Sequence, residues 1–123
     1  MTRRILIADD EPNIVVSLEF LMKREGFEVT TAVDGEATLA AIEKAKPDLV
    51  LLDIMLPKMN GFEVCQRIRS NPHWSDVKVL MLTAKGRDTE VAKGLALGAD
   101  AYVTKPFSTK DLVAQVRQLL GLQ

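Results

Sequence analysis

The 123-residue sequence has one cysteine, one histidine, one tyrosine and one tryptophan. A lone cysteine, Cys65, forms no internal disulfide, and one thiol is no metal cage, which suits a reducing cytoplasm. His73 sits between Pro72 and Trp74 and reads as a surface residue; Cys65 reads as a small buried hydrophobe, and the two make no nucleophile pair. Neither charge is in excess: 16 Lys plus Arg stand against 17 Asp plus Glu, a formal net charge of -1. That balance gives no electrostatic footprint for nucleic acid. No apolar run approaches the roughly 18 residues that a membrane span needs. Arg3-Arg4 before Ile5-Leu6-Ile7-Ala8 imitates the start of a signal peptide, but the apolar run stops at Asp9-Asp10-Glu11, too early for an h-region. With 47% hydrophobic and 27% charged residues, a chain of this length buries a core without staples. The expectation is one soluble domain over residues 1–123.

Apolar runs and helical patterns alternate five times along the chain. Strands are expected at 5–8, 27–32, 49–52, 77–82 and 100–104. Leu49-Val50-Leu51-Leu52 is an unbroken apolar run, as a strand covered on both faces requires. Helices are expected from Pro12 to a stop at Gly26, then at 36–45, 62–70 and 88–97, and from a cap at Ser108 onward. Pro12 suits a first helical position, and Gly26 suits the turn that closes a helix. Gly94 lies inside the fourth helix and costs it about 1 kcal/mol relative to alanine. The pattern implies a parallel sheet with helices on both faces, an α/β doubly wound architecture. Periodicity does not give the strand order.

In an open parallel sheet, ligands bind just past the carboxyl ends of the strands. The first strand delivers Asp9, Asp10 and Glu11 there, the third Asp53, the fourth Thr83 and Ala84, the fifth Lys105 and Pro106, and these converge at one edge if the first and third strands are neighbours. Clustered carboxylates repel one another and resist joint ionisation. A hard divalent cation relieves this, and oxygen donors favour Mg²⁺, with Asp10 as the first ligand, Asp9 direct or through water, and Asp53 completing the set. Asp53 is the natural nucleophile, because a carboxylate forms an acyl phosphate. Lys105 can pair with one phosphoryl oxygen and Thr83 can donate to another.

The ordered set Asp9-Asp10, Leu51-Leu52-Asp53 with Pro57 and Gly61, Leu82-Thr83-Ala84, and Lys105-Pro106-Phe107 resembles the receiver domain of two-component response regulators over essentially the whole chain. The resemblance implies a flavodoxin-like (βα)5 fold with strand order 2-1-3-4-5. It implies phosphoryl transfer to Asp53 from a histidine kinase or phosphotransfer protein, Mg²⁺ ligation by the Met55 backbone carbonyl, and a cis Lys105-Pro106 bond. It further implies a switch coupling Thr83 to Tyr102, a signalling surface on the fourth helix, fifth strand and fifth helix that controls a partner or output domain, and a phosphoryl lifetime tuned through Met55 and Lys85.

Two departures stand out. Asn60 replaces a common aspartate before Gly61 and should preserve the turn. Val91 and Gln115 stand where the DNA-binding branch of the family carries basic residues, and Ala101 where it carries an acid; Asp111 alone keeps the expected character. A monomer, or association through another surface, is therefore expected. Among rival functions, an aspartyl phosphatase wants a second acid two residues after Asp53, where Met55 stands. Dinucleotide or flavin binding wants a glycine-rich turn in place of Asp9-Asp10-Glu11. A pseudo-receiver would have lost part of the acid cluster or the lysine.

Overall fold

The structure, a computed structural model, describes residues 2–84 and 86–122. Among these, five strands alternate with five α-helices: β1 (Arg4–Ala8), α1 (Pro12–Arg24), β2 (Glu28–Ala32), α2 (Gly35–Lys44), β3 (Leu49–Asp53), α3 (Gly61–Ser70), β4 (Lys78–Ala84), α4 (Asp88–Ala96), β5 (Ala101–Lys105) and α5 (Thr109–Leu119). A single 3-10 turn, Pro72–Trp74, lies between α3 and β4. All strands are parallel, in the order β2-β1-β3-β4-β5.

Side chains alternate between two cores, one on each face of the sheet. Ile5, Ile7, Leu49, Leu51, Leu80 and Leu82 pack with Leu18, Leu21 and Met22 of α1 and with Leu112 and Val116 of α5. Leu6, Ala8, Val50, Leu52, Val79 and Met81 pack with Ile42 of α2 and with Val64, Cys65 and Ile68 of α3. Each such side chain contributes about 1.5–3 kcal/mol through its removal from water. Leu49 to Leu52 are fully buried because β3 is covered on both faces, which is the reason for its unbroken apolar run. The edge strand β2 is covered more thinly, and Thr30 and Thr31 both remain exposed.

Local signals set the helix ends. Pro12 occupies the first turn of α1, and Gly26, at φ 90°, takes the left-handed conformation just beyond it. Asp34, Asn60 and Ser108 accept the amides of Ala37, Glu63 and Asp111 at 2.7, 3.0 and 3.2 Å and so cap α2, α3 and α5. Asn60 thus caps as an aspartate would. Helix α4 differs: Arg87 at its N-cap gives no side-chain cap. Its buried Gly94 faces Met81 and Phe62, and Lys93 lies 4.6 Å over the Phe62 ring. Beyond its C-terminus, Arg69 donates to the Gly98 carbonyl at 2.8 Å and to Asp100 at 2.7 Å, and Asp100 accepts the Val79 amide at 2.8 Å. This network ties the α4–β5 connection to α3 and β4.

Strand β4 runs two residues further than the apolar pattern implied, so Thr83 and Ala84 lie within the strand. Strand β5 is shifted one residue later and ends on Lys105. Both extensions come from pairing: Thr83 sits opposite Thr104, and Ala84 opposite Lys105. The Lys105-Pro106 bond is cis. Lys85 lies outside the described residues.

Candidate functional site

The sheet register decides which residues share the rim. Ala8 pairs with Leu52, and Asp53 pairs with Leu82, so the residues that follow β1 and those that end β3, β4 and β5 emerge at one edge. Asp9, Asp10 and Asp53 meet there, each offering a carboxylate oxygen within 4.8 Å of the others. Asp9 is wholly buried and Asp53 nearly so, at 0% and 6% exposure, whereas Asp10 faces solvent. Two buried acids and one open acid leave the cluster approachable from a single side.

Hydrogen bonds fix the two buried acids. Asp9 accepts the Glu11 amide at 2.9 Å on one oxygen and the Lys105 ammonium at 2.8 Å on the other. Asp53 Oδ1 accepts the Met55 amide at 3.2 Å and lies 3.7 Å from Lys105 Nζ. Burial raises the Asp53 carboxyl above its ordinary 3.8; the Met55 amide and Lys105 lower it, and Asp9 and Asp10 raise it further. For Lys105, burial favours the neutral amine, but the hydrogen bond to Asp9 and the charges of Asp53, Asp9 and Glu11 outweigh it and lift the group above 10.5. Lys105 thus sits among the carboxylates, at 2.8 Å from Asp9 and 3.7 Å from Asp53, beside the acids where its place after the fifth strand put it.

The donor chemistry suits a hard cation. Three carboxylates gather around one point. Lys105 faces two of them, and part of their mutual repulsion remains for a divalent ion to offset. The imidazole and thiolate donors that would favour a softer metal do not join the cluster: His73 belongs to the turn after α3. Cys65 is on the buried face of α3, with its thiol 3.8 Å from the Leu97 carbonyl. Burial pushes that thiol up from its ordinary range.

The remaining sequence-derived residues fall around this cluster. Thr83 is buried at 2% exposure, one residue past the partner of Asp53, and its hydroxyl makes a long 3.4 Å bond to the Ala84 carbonyl. Tyr102 sits on β5, away from the acids and 42% exposed. Both residues line one narrow crevice between α4 and the sheet, too tight to admit a water, together with Ile54, Met81, Val91 and Gly94. Met55 is 68% exposed between the buried Ile54 and Leu56, so its side chain leaves the site while its backbone stays in it. Ala101, Tyr102, Asp111 and Gln115 line a groove on the α4–β5–α5 face.

Sequence reasoning missed the contacts that hold the β3–α3 loop, residues 54–60. The Gly35 amide donates to the Pro57 carbonyl at 3.1 Å, and Lys58, at φ 66°, sets its ammonium 3.7 Å from Asp34. Asp34-Gly35 carries a turn signal, and nothing local in the sequence ties it to the later loop.

The family described as response regulator receiver domain matches residues 5–117. The chain is 46% identical over 120 residues to the alkaline phosphatase synthesis transcriptional regulatory protein PhoP of Bacillus subtilis (strain 168), covering 98% of the chain and 49% of that protein. It is 47% identical over 120 residues to the DNA-binding response regulator MtrA of Mycolicibacterium smegmatis (strain ATCC 700084 / mc(2)155), covering 98% of the chain and 51% of that protein. The chain thus spans about half the length of the curated relatives it matches. Among solved structures, a putative response regulator from Chloroflexus aurantiacus J-10-fl superposes with a TM-score of 0.95 at 35% identity, over 98% of this chain and 99% of that one. A CheY-like receiver domain protein from Methanospirillum hungatei JF-1 superposes with a TM-score of 0.91 at 33% identity, over 98% and 95%. No helix among the described residues is long and apolar enough to cross a membrane.

Proposed function

The chain belongs to the response regulator receiver domain family of two-component systems, and on that premise we propose that it accepts a phosphoryl group on Asp53 from a histidine kinase or phosphotransfer protein. The observation that carries the reading is the convergence of Asp9, Asp10 and Asp53 within 4.8 Å, with the Lys105 ammonium facing two of them.

Asp53 acts as nucleophile. Its Oδ1 is held by the Met55 amide and faces Lys105, which leaves its second carboxylate oxygen to attack phosphorus. The phosphorus–nitrogen bond of the donor breaks, its electron pair returns to the histidine ring, and an acyl phosphate forms on Asp53. Asp9, Asp10, Asp53 and the Met55 carbonyl would hold Mg²⁺, which supplies charge neutralisation against the incoming phosphoryl oxygens. Lys105 faces the transferred group and Thr83 donates its hydroxyl to it. The chemistry extends to self-phosphorylation and self-dephosphorylation and to no further substrate.

The output follows from the crevice that Thr83 and Tyr102 both line. When the Thr83 hydroxyl exchanges its long bond for a phosphoryl oxygen, the Tyr102 ring can turn inward and repack the α4–β5–α5 face. That face meets a protein partner or output domain rather than nucleic acid. Val91, Ala101 and Gln115 offer no charge partner for Asp111 in a second copy, so the domain works as a monomer or through another surface. The buried free thiol of Cys65 suits the cytoplasm.

Intact-mass measurement after incubation with acetyl phosphate, with and without Mg²⁺, tests the assignment. One phosphoryl mass is expected on the unsubstituted protein with Mg²⁺ and none on Asp53→Ala. Label retained by Asp53→Ala, or absent from both, overturns the reading. Light scattering with beryllofluoride tests the monomer: a tight dimer on the α4–β5–α5 face overturns that part.

A further inference from the structure

The loop between β3 and α3 carries Met55, and its position is not set by the acid cluster alone. Ile54 and Leu56 are buried on either side of the exposed Met55. At the far end of the loop, the Gly61 amide donates to the Ile54 carbonyl at 2.9 Å. From the side, the first turn of α2 presses on the loop. The Gly35 amide donates to the Pro57 carbonyl at 3.1 Å, and Asp34 caps α2 through Oδ1 while its Oδ2 lies 3.7 Å from the Lys58 ammonium.

Gly35 is where the fit is closest. A Cβ there would fall on the Met59 carbonyl oxygen, 2.5 Å from the Met59 Cβ and 2.7 Å from its carbonyl carbon. These obstacles are largely backbone, so no rotamer change clears them. Gly35 is not among the glycines at positive φ, so conformational freedom does not account for it. Close approach does. Any side chain at this position must displace Met59 and, through the chain, the loop that bears Met55.

We propose that Gly35, assisted by Asp34, is a positioning residue for the cation site: the start of α2 sets the β3–α3 loop so that its backbone completes the ligand set begun by Asp9, Asp10 and Asp53. This rests on the cation reading given above and adds to it residues that touch neither the ion nor the phosphoryl group. Groups that orient ligands from behind typically change metal affinity about 10–100-fold when altered.

The test is a Mg²⁺ titration followed by NMR at the Met55 amide, with urea denaturation run in parallel. Gly35→Ala is expected to weaken Mg²⁺ about tenfold, at the lower end of that range, with the bound-state spectrum restored at high Mg²⁺. Asp34→Ala, which removes the cap and the Lys58 contact but adds no clash, is expected to weaken it severalfold. Lys58→Gly should keep parental affinity, because glycine accepts the positive φ and the ammonium is largely in solvent. A purely structural Gly35 would lower the urea midpoint and leave the affinity of the folded protein unchanged, which overturns the proposal. If Gly35→Ala does not fold, Asp34→Ala decides, and parental Mg²⁺ affinity there overturns it equally. Absence of any Mg²⁺ response in the unsubstituted protein removes the cation reading itself; a normal parental response with unaltered variants removes this inference alone.

Discussion

On the β1–β3 side of the rim, Asp9 and Asp53 accept backbone amides at 2.9 and 3.2 Å, Lys105 closes on Asp9 at 2.8 Å, and two glycines seat the neighbouring loop. On the β4–β5 side, the Thr83 hydroxyl makes one long bond of 3.4 Å, Tyr102 stands half in solvent, and the two line a narrow crevice beneath a helix that starts without a side-chain cap. The first side is arranged to hold position before any ligand arrives, which is what electrostatic stabilisation of a transferring group requires. The second has fewer contacts to lose, which is what a low-energy rearrangement requires. Under the proposed function, one rim combines a fixed reaction site with a yielding reporter, and substitutions on the two sides should differ in kind.

The largest effect is expected from Lys105→Met. It strips the partner from a buried Asp9 and should cost about 3 kcal/mol, at the lower bound for a broken buried ion pair, because the lysine side chain is 21% exposed. The same change should tighten Mg²⁺ binding, since a competing cation is gone. Urea denaturation and Mg²⁺ titration together check this; loss of Mg²⁺ affinity would show that the fixed side is not organised by charge. Next comes Arg69→Met, which removes charged hydrogen bonds to Gly98 and Asp100 and should cost about 2 kcal/mol. Mg²⁺ affinity should not change, so a coupled loss there would break the division between the two sides.

A smaller effect is expected at Asp53. Its carboxyl is raised above 3.8 mainly by burial, so the folded protein holds the proton longer than the unfolded chain. Stability from this group therefore falls as pH rises through and above that range. Without divalent cation, Asp53→Asn should be more stable than the parent at about pH 7, with the advantage vanishing by about pH 3. Urea midpoints across that range give the curve, and an advantage that grows on acidification would contradict it. The smallest change is Gly94→Ala. The new methyl would sit 3.4 Å from the Met81 methyl, an ordinary contact, so helix propensity should dominate and add up to about 1 kcal/mol. If α4 must repack for output, the same variant should show a diminished beryllofluoride-induced shift at Tyr102 by NMR.

Much of this was legible in the sequence because its determinants are local or periodic. The run 49–52 announced a doubly covered strand, and the acids after β1 and at the end of β3 announced a shared rim once those two strands are neighbours. Pro12, Gly26 and Ser108 marked helix ends through capping chemistry confined to a few neighbours. Strand order came only through family resemblance, since periodicity records which face a residue takes and not which strand lies beside it. What escaped was contact between distant segments. The extra length of β4 depends on pairing with β5. The Arg69–Asp100 tie joins α3 to the start of β5. Gly35 reads as half of a turn, although its glycine is demanded by Met59.

Strand β3 lies in the middle of the sheet, between β1 and β4, and Leu49 to Leu52 have no solvent exposure at all. Amides of such a strand exchange with solvent deuterium only when the whole molecule opens. Asp53, the proposed acceptor, ends this strand and is tethered to the last part of the protein to come apart. Under the proposed function, a donor meets the same carboxylate in every partly frayed form of the molecule, and loosening at α4 or β5 can vary without disturbing where the phosphoryl group lands.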